Sequence, residues 1–253
     1  MNVKKTLFVL VAAGACTSAA AHDFWVSGNN GNKFTAHIGY GHDFPQPEAI
    51  PAERVKLFEP LSIIQSNSNK TALKQTGANY QYEGQKLSTG SYLLTGHYKP
   101  TFWTKDAQGS WHLDGTKQNT PHAEFCTYAI MNAKEVIHIG HASDAFTTKP
   151  TGQNIEIVPL GNPDNWRVDK PFKIQVFANG KPVKTAKVVG TFAGFAKDRH
   201  AFSGTTDLEG VIEVVALRPG QWMLKATKEQ PYQDKKVCDE ETRIATLTFR
   251  VKP

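Results

Sequence analysis

The chain has 253 residues, 40% hydrophobic and 21% charged, which is enough apolar side chain for a core in one or two domains and too much for a disordered chain. Its 29 basic residues exceed its 23 acidic ones, for a formal charge of +6. The excess is unclustered and no base-stacking module accompanies it, which sets nucleic-acid binding aside.

Residues 1–21 read as a secretory leader. Lys4 and Lys5 precede an apolar run from Thr6 to Ala15, and a small-residue stretch follows from Cys16 to Ala21. The run is far short of the ~20 residues that span a bilayer, and no later segment is long and apolar enough to do so. The expected product is exported, with a periplasmic location and no membrane span.

Beyond the leader, helical periodicity is hard to find. Short β-branched or aromatic runs recur instead, bounded by Gly, Pro, Asn and Asp. In chain order they are Lys33–Gly39, Val55–Glu59, Ser91–His97, Glu135–Gly140, Phe172–Ala178, Lys187–Phe192, Gly210–Ala216, Trp222–Thr227 and Ile244–Val251. In Phe172-Lys-Ile-Gln-Val the apolar residues take every second place, the mark of a strand with one face buried. The turn formers of Pro159-Leu-Gly-Asn-Pro-Asp-Asn interrupt the runs. The expectation is an all-β chain of two β-sandwich domains in tandem, residues 22–160 and 161–253, after the leader. In the second, Asn179-Gly180 signals a two-residue hairpin turn, followed by Thr206-Asp-Leu-Glu-Gly210 and Leu217-Arg-Pro-Gly220.

Two cysteines remain after the leader, Cys126 and Cys238. In an oxidising compartment they are expected to form a disulfide, since no C-x-x-C spacing supports a metal site.

Eight of the nine histidines precede residue 142, which makes a metal site in the first domain the sharpest functional expectation. Leader cleavage after Ala21 would make His22 the new N-terminus, where its amine and imidazole chelate one ion together and a second histidine completes a three-nitrogen brace. Cleavage after Ala19 would instead expose Ala20-Ala21-His22, a copper- and nickel-chelating tripeptide. His42, in Gly39-Tyr-Gly-His-Asp-Phe-Pro45, is a loop histidine beside the carboxylate of Asp43, a ligand or a turn-stabilising group. His138 and His141 form an H-x-x-H pair that a strand would split across its two faces unless Gly140 breaks it. One of them is the next candidate, with Asp144 a weaker oxygen donor and His97 in reserve. His37 reads as structural, and His112, His122 and His200 as solvated.

No G-x-S-x-G elbow, H-E-x-x-H helix, P-loop or dinucleotide-binding glycine fingerprint is present, so the expectation is a non-enzymatic protein. The two alternatives kept are an envelope adhesion module with incidental histidines and a copper-dependent polysaccharide oxygenase, which shares the N-terminal brace.

Gly180–Val188, Thr206–Gly210 and Leu217–Trp222 resemble prealbumin-like or carboxypeptidase-regulatory-like sandwich modules, a likeness that concerns fold alone. The order of Ala21-His22-Asp-Phe-Trp-Val26, Gly41-His-Asp-Phe-Pro45, Lys99-Pro-Thr-Phe-Trp-Thr-Lys105 and Ile155–Pro163 resembles a domain-of-unknown-function family of periplasmic accessory proteins for nickel and cobalt uptake. That resemblance implies a protein that captures or delivers Ni(II) or Co(II) for a membrane metal transporter, with His22 as leading ligand. Cu(II) and Zn(II) are ions the same donors accept, and the Irving–Williams order favours Cu(II) over Ni(II) at any such nitrogen site.

Overall fold

A computed structural model describes residues 22–77, 80–140, 145–197 and 199–253; residues 1–21, the expected leader, lie outside the described residues. In chain order the strands are β1 (Asp23–Asn30), β2 (Phe34–Gly41), β3 (Ser62–Gln65), β4 (Lys70–Ala72), β5 (Lys74–Gln75), β6 (Gln81–Gly84), β7 (Gly90–Asp106), β8 (Trp111–Leu113) and β9 (Ala123–Ile139). They continue with β10 (Glu156–Pro159), β11 (Pro171–Ala178), β12 (Lys181–Pro182), β13 (Lys187–Phe192), β14 (Phe202–Thr205), β15 (Val211–Val215), β16 (Gly220–Pro231) and β17 (Glu240–Val251). Helix among the described residues amounts to one turn, α1 (Ala52–Val55), and a 3-10 turn at Pro163–Asn165. No helix among them is long and apolar enough to cross a membrane.

The chain is all-β, as the runs and turn formers indicate. Phe172, Ile174 and Val176 are buried while Lys173 is exposed, so β11 follows the period-2 pattern. Asn179 and Gly180 both take positive φ, and Ala178 pairs with Lys181 around them, as the two-residue hairpin requires. Two runs differ from expectation. Val55–Glu59 is no strand: Arg54 and Leu57 bond back to Pro51 and Arg54 in a tight helical turn, and Leu57 and Phe58 are apolar because they plug the core. Ser91–His97 belongs to a 17-residue strand that continues through Lys99-Pro100. The register shift between Tyr98 and Thr101 lets the strand pass a proline that has no N–H to give.

The two sandwich cores share one sheet. A nine-stranded sheet runs β14-β13-β16-β17-β9-β7-β3-β4, with β8 on β7, and its two halves are joined by the parallel pairing of β17 with β9. A four-stranded sheet, β1-β2-β6-β5, covers one face at the β7–β9 end. Phe24, Phe34, Ile38, Leu61, Leu94 and Ala133 pack there. A second four-stranded sheet, built on β11 with β10, β12 and β15, covers the opposite face at the β13–β16–β17 end. Ile155, Ile157, Ile174, Trp222 and Leu247 fill that core, so β10 packs with the C-terminal strands although it precedes the turn formers after Pro159. Alternation along β17 assigns the faces. Ala245, Leu247 and Phe249 point into the second core, whereas the hydroxyls of Thr246 and Thr248 donate to the Phe24 and Val26 carbonyls of β1.

Cys126 and Cys238 form the expected disulfide, with Cα atoms 4.9 Å apart and both residues fully buried. It joins the start of β9 to the segment entering β17, just before those strands begin to pair.

Candidate metal centre

Hairpin register builds the site. β1 and β2 pair with Asp23 opposite Gly41, so the next positions outward, 22 and 42, are cross-strand neighbours at the open rim of the first core. The rings of His22 and His42 lie 4.1 Å apart between centroids. After His42 the chain doubles back: Gln46 N donates to Asp43 O, and Glu48 N donates to Tyr40 O at 2.8 Å. That return presents the Glu48 carboxylate to both imidazoles. Its Oε1 accepts from His42 N at 3.0 Å and lies 2.9 Å from His42 Nδ1, while Oε2 lies 3.2 Å from His22 Nε2. Gly41 is needed here, because its φ is +149° and a Cβ would sit 2.9 Å from Glu48 Cγ.

An aromatic wall backs the site. Tyr40 stacks on His22 at 4.6 Å and 8° and meets Phe58 edge-on. Arg54 Nη1 donates to the Tyr40 hydroxyl at 3.0 Å, and its guanidinium lies 4.8 Å over the Trp103 ring.

The electrostatics suit a cation. Burial lowers the His22 pKa, and the charges of His42 and Arg54 push the same way, outweighing Glu48. The hydrogen bond from His42 holds the Glu48 carboxyl below the usual carboxylate range. At neutral pH the site therefore offers a neutral His22 imidazole and an ionised carboxylate, the protonation states metal ligation needs.

One ligand atom from each of His22, His42 and Glu48 can be chosen so that all lie within 4.8 Å of one another. Ligands held at ~2.0–2.2 Å from a shared ion stand roughly 3–4 Å apart, so closing on a metal takes a movement of about an ångström. Two imidazoles and one carboxylate leave coordination positions open for solvent or for the N-terminal amine of a chain beginning at His22. The carboxylate faces Nε2 of His22, whereas a chelate with that amine would use Nδ1, so the brace requires the ring to turn over.

The other predicted residues lie elsewhere. His138 is on β9, on the face turned towards the second core, with Nδ1 3.2 Å from Asp164 Oδ2. His97 holds Asn132 Oδ1 at 2.8 Å through Nδ1. His141 and Asp144 lie outside the described residues. His112 pairs with Asp106 at 2.7 Å, and burial lowers the pKa of His37. Asp43 bridges to Gln46 in the loop, and the carboxylate at the two imidazoles is Glu48. Glu48 was not among the expected ligands; the signal for it in the sequence is a carboxylate six residues past His42, across a Pro-Gln-Pro segment that turns the chain back.

A family model described as "Domain of unknown function (DUF4198)" matches residues 19–230. The chain belongs to the DUF4198 family. The matched region holds His22, His42 and Glu48 and ends short of Cys238. This DUF4198 chain is also 28% identical, over 191 residues, to an uncharacterized protein of Haemophilus influenzae, covering 74% of this chain and 75% of the relative. Among solved structures, the D0-D1 domain of intimin aligns with a TM-score of 0.21 at 12% identity, covering 90% of this chain and 97% of that one. A tetra-tandem repeat from the extending region of a large adhesion protein aligns with a TM-score of 0.24 at 11% identity, covering 92% and 50%. Neither superposition is close enough to bear on fold or function.

Proposed function

We propose that this DUF4198 protein is an exported, non-enzymatic binder of a divalent transition metal, working in the periplasm. It holds the ion through His22, His42 and Glu48 and passes it to a membrane uptake system. The observation that carries the reading is the convergence of two imidazoles and a carboxylate, from the two ends of one hairpin and its following loop, within 4.8 Å. Ni(II) and Co(II) are the proposed cargo. Both accept mixed nitrogen and oxygen donors, and a half-exposed site with open positions suits an ion that must be released. The same donors bind Cu(II) more tightly and also accept Zn(II), so availability in the compartment decides the occupant.

The test is calorimetric titration of the exported protein with Ni(II), Co(II), Cu(II) and Zn(II), alongside His42→Ala. One ion per chain, lost in the variant, supports the reading. Absence of binding by the wild-type protein leaves the histidines incidental and favours an envelope-interaction role.

A further inference from the structure

On the face of the nine-stranded sheet opposite the metal-bearing hairpin, β3, β7 and β9 form the floor of a cavity of about 310 Å³, and residues 151–154 form one wall. It shares no residue with the metal centre. This is the lower end of the size range for small-molecule sites, roughly 300–1,000 Å³.

Its floor carries an unmet polar group. Asn132 is 2% exposed, and among the described residues no hydrogen-bond partner meets its Nδ2. A buried donor left unsatisfied costs about 1–3 kcal/mol. The amide's other end faces His97 Nδ1 at 2.8 Å. With Oδ1 towards the ring, Nδ1 carries the hydrogen, which leaves Nδ2 as a donor and His97 Nε2 as an acceptor. With the amide reversed, the two roles exchange. Either way the pair presents one donor and one acceptor, the complement of a hydroxyl or an amide.

The wall is fixed in advance. The Glu156 carboxylate accepts from Thr151 N, Thr151 Oγ1 and Gly152 N and pairs with the buried ammonium of Lys134. Gln153 Nε2 donates to Ala133 O, and Arg243 Nη1 donates to Asn154 O. Prior ordering of this kind reduces what a ligand must spend on organising its site. The unlike charges of Glu59 and Lys70 lie in the lining, so neither sign of ligand is favoured, and its apolar surface is confined to small patches such as Pro60 and Ile64.

We propose that this cavity binds a neutral, hydroxyl-rich ligand the size of one sugar ring, held by Asn132 and His97. The test is saturation-transfer NMR on the exported protein with glucose, galactose, mannose and N-acetylglucosamine as probes, and with acetate and ethylammonium as charged comparisons. The expected result is transfer to at least one sugar and to neither ion. Affinity for that sugar should fall ~10-fold or more in Asn132→Leu and in His97→Gln, and stay unchanged in His42→Ala. His97 is only half-buried, so His97→Gln keeps the test open if Asn132→Leu fails to fold. No transfer to any of the four sugars overturns the proposal. So does sugar binding that survives His97→Gln, the pattern expected where a water alone occupies the Asn132 donor.

Discussion

His22 and His42 are cross-strand neighbours because Asp23 pairs with Gly41, and their rings stand 4.1 Å apart. A one-residue slip of the β1–β2 hairpin would turn His22 to the opposite face. Such a slip is opposed by Phe24 and Val26 packing into one core while Trp25 packs against Phe44 and Met223 on the other side of the strand. The site is thus a by-product of how tightly β1 is held.

Glu48 closes the site, so Glu48→Gln keeps the shape and removes the charge. Metal affinity is expected to fall ~10-fold or more, with the thermal midpoint of the metal-free protein little changed. Gly41→Ala should weaken metal binding by displacing Glu48, and will also strain the backbone at a positive φ. Parallel calorimetry and melting curves on both variants check this.

On the same strand, Gly28 N donates to Glu135 Oε2 at 2.6 Å. Burial pushes the Glu135 carboxyl up to about 8, against the opposing pull of that hydrogen bond and of the Arg250 charge. The folded chain therefore keeps a proton that the unfolded chain releases near its ordinary value of 4.5. The unfolded state binds fewer protons across that window, so this group makes stability fall as pH rises from about 4.5 to about 8. Glu135→Gln, whose side-chain carbonyl still accepts from Gly28, is expected to flatten that slope and to melt later than wild type at alkaline pH. An unchanged slope in pH-dependent denaturation would contradict it.

Lys134 and Glu156 are 2% and 0% exposed and pair across the second core's edge. Lys134→Met leaves a buried carboxylate without its counter-charge, and a loss of ~3–5 kcal/mol is expected. The backbone amides of Thr151 and Gly152, bonded to that carboxylate, should lose hydrogen-exchange protection at the same time.

The Cys126–Cys238 bond spans 112 residues. Replacing both cysteines by Ala should cost ~2–4 kcal/mol in chemical denaturation. One metal ion per chain should still bind, since both cysteines lie outside the β1–β2 hairpin proposed to hold it.

Strand character was legible because alternation and turn chemistry are local: β11 and the Asn179-Gly180 hairpin follow directly from their residues. The disulfide was legible because two cysteines admit one pairing. The sharing of one sheet by both cores was not, since the parallel pairing of β17 with β9 joins segments more than a hundred residues apart and leaves no periodicity in either. At the site, His22 and His42 stood out by residue type and position. Glu48 did not, because a carboxylate in a proline-rich loop looks solvated until Glu48 N is seen bonded to Tyr40 O. Of the H-x-x-H pair, His138 lies near the end of β9 with its ring at Asp164 on the far face, and His141 lies outside the described residues.

X-ray absorption at the nickel edge of a chain beginning at His22 and loaded with one equivalent of Ni(II) is the sharpest test of the proposed centre. Imidazole scattering from two histidines is expected, with oxygen completing the shell, reduced to one imidazole in His42→Ala. A shell of oxygen alone, or one that His42→Ala leaves unaltered, would contradict it.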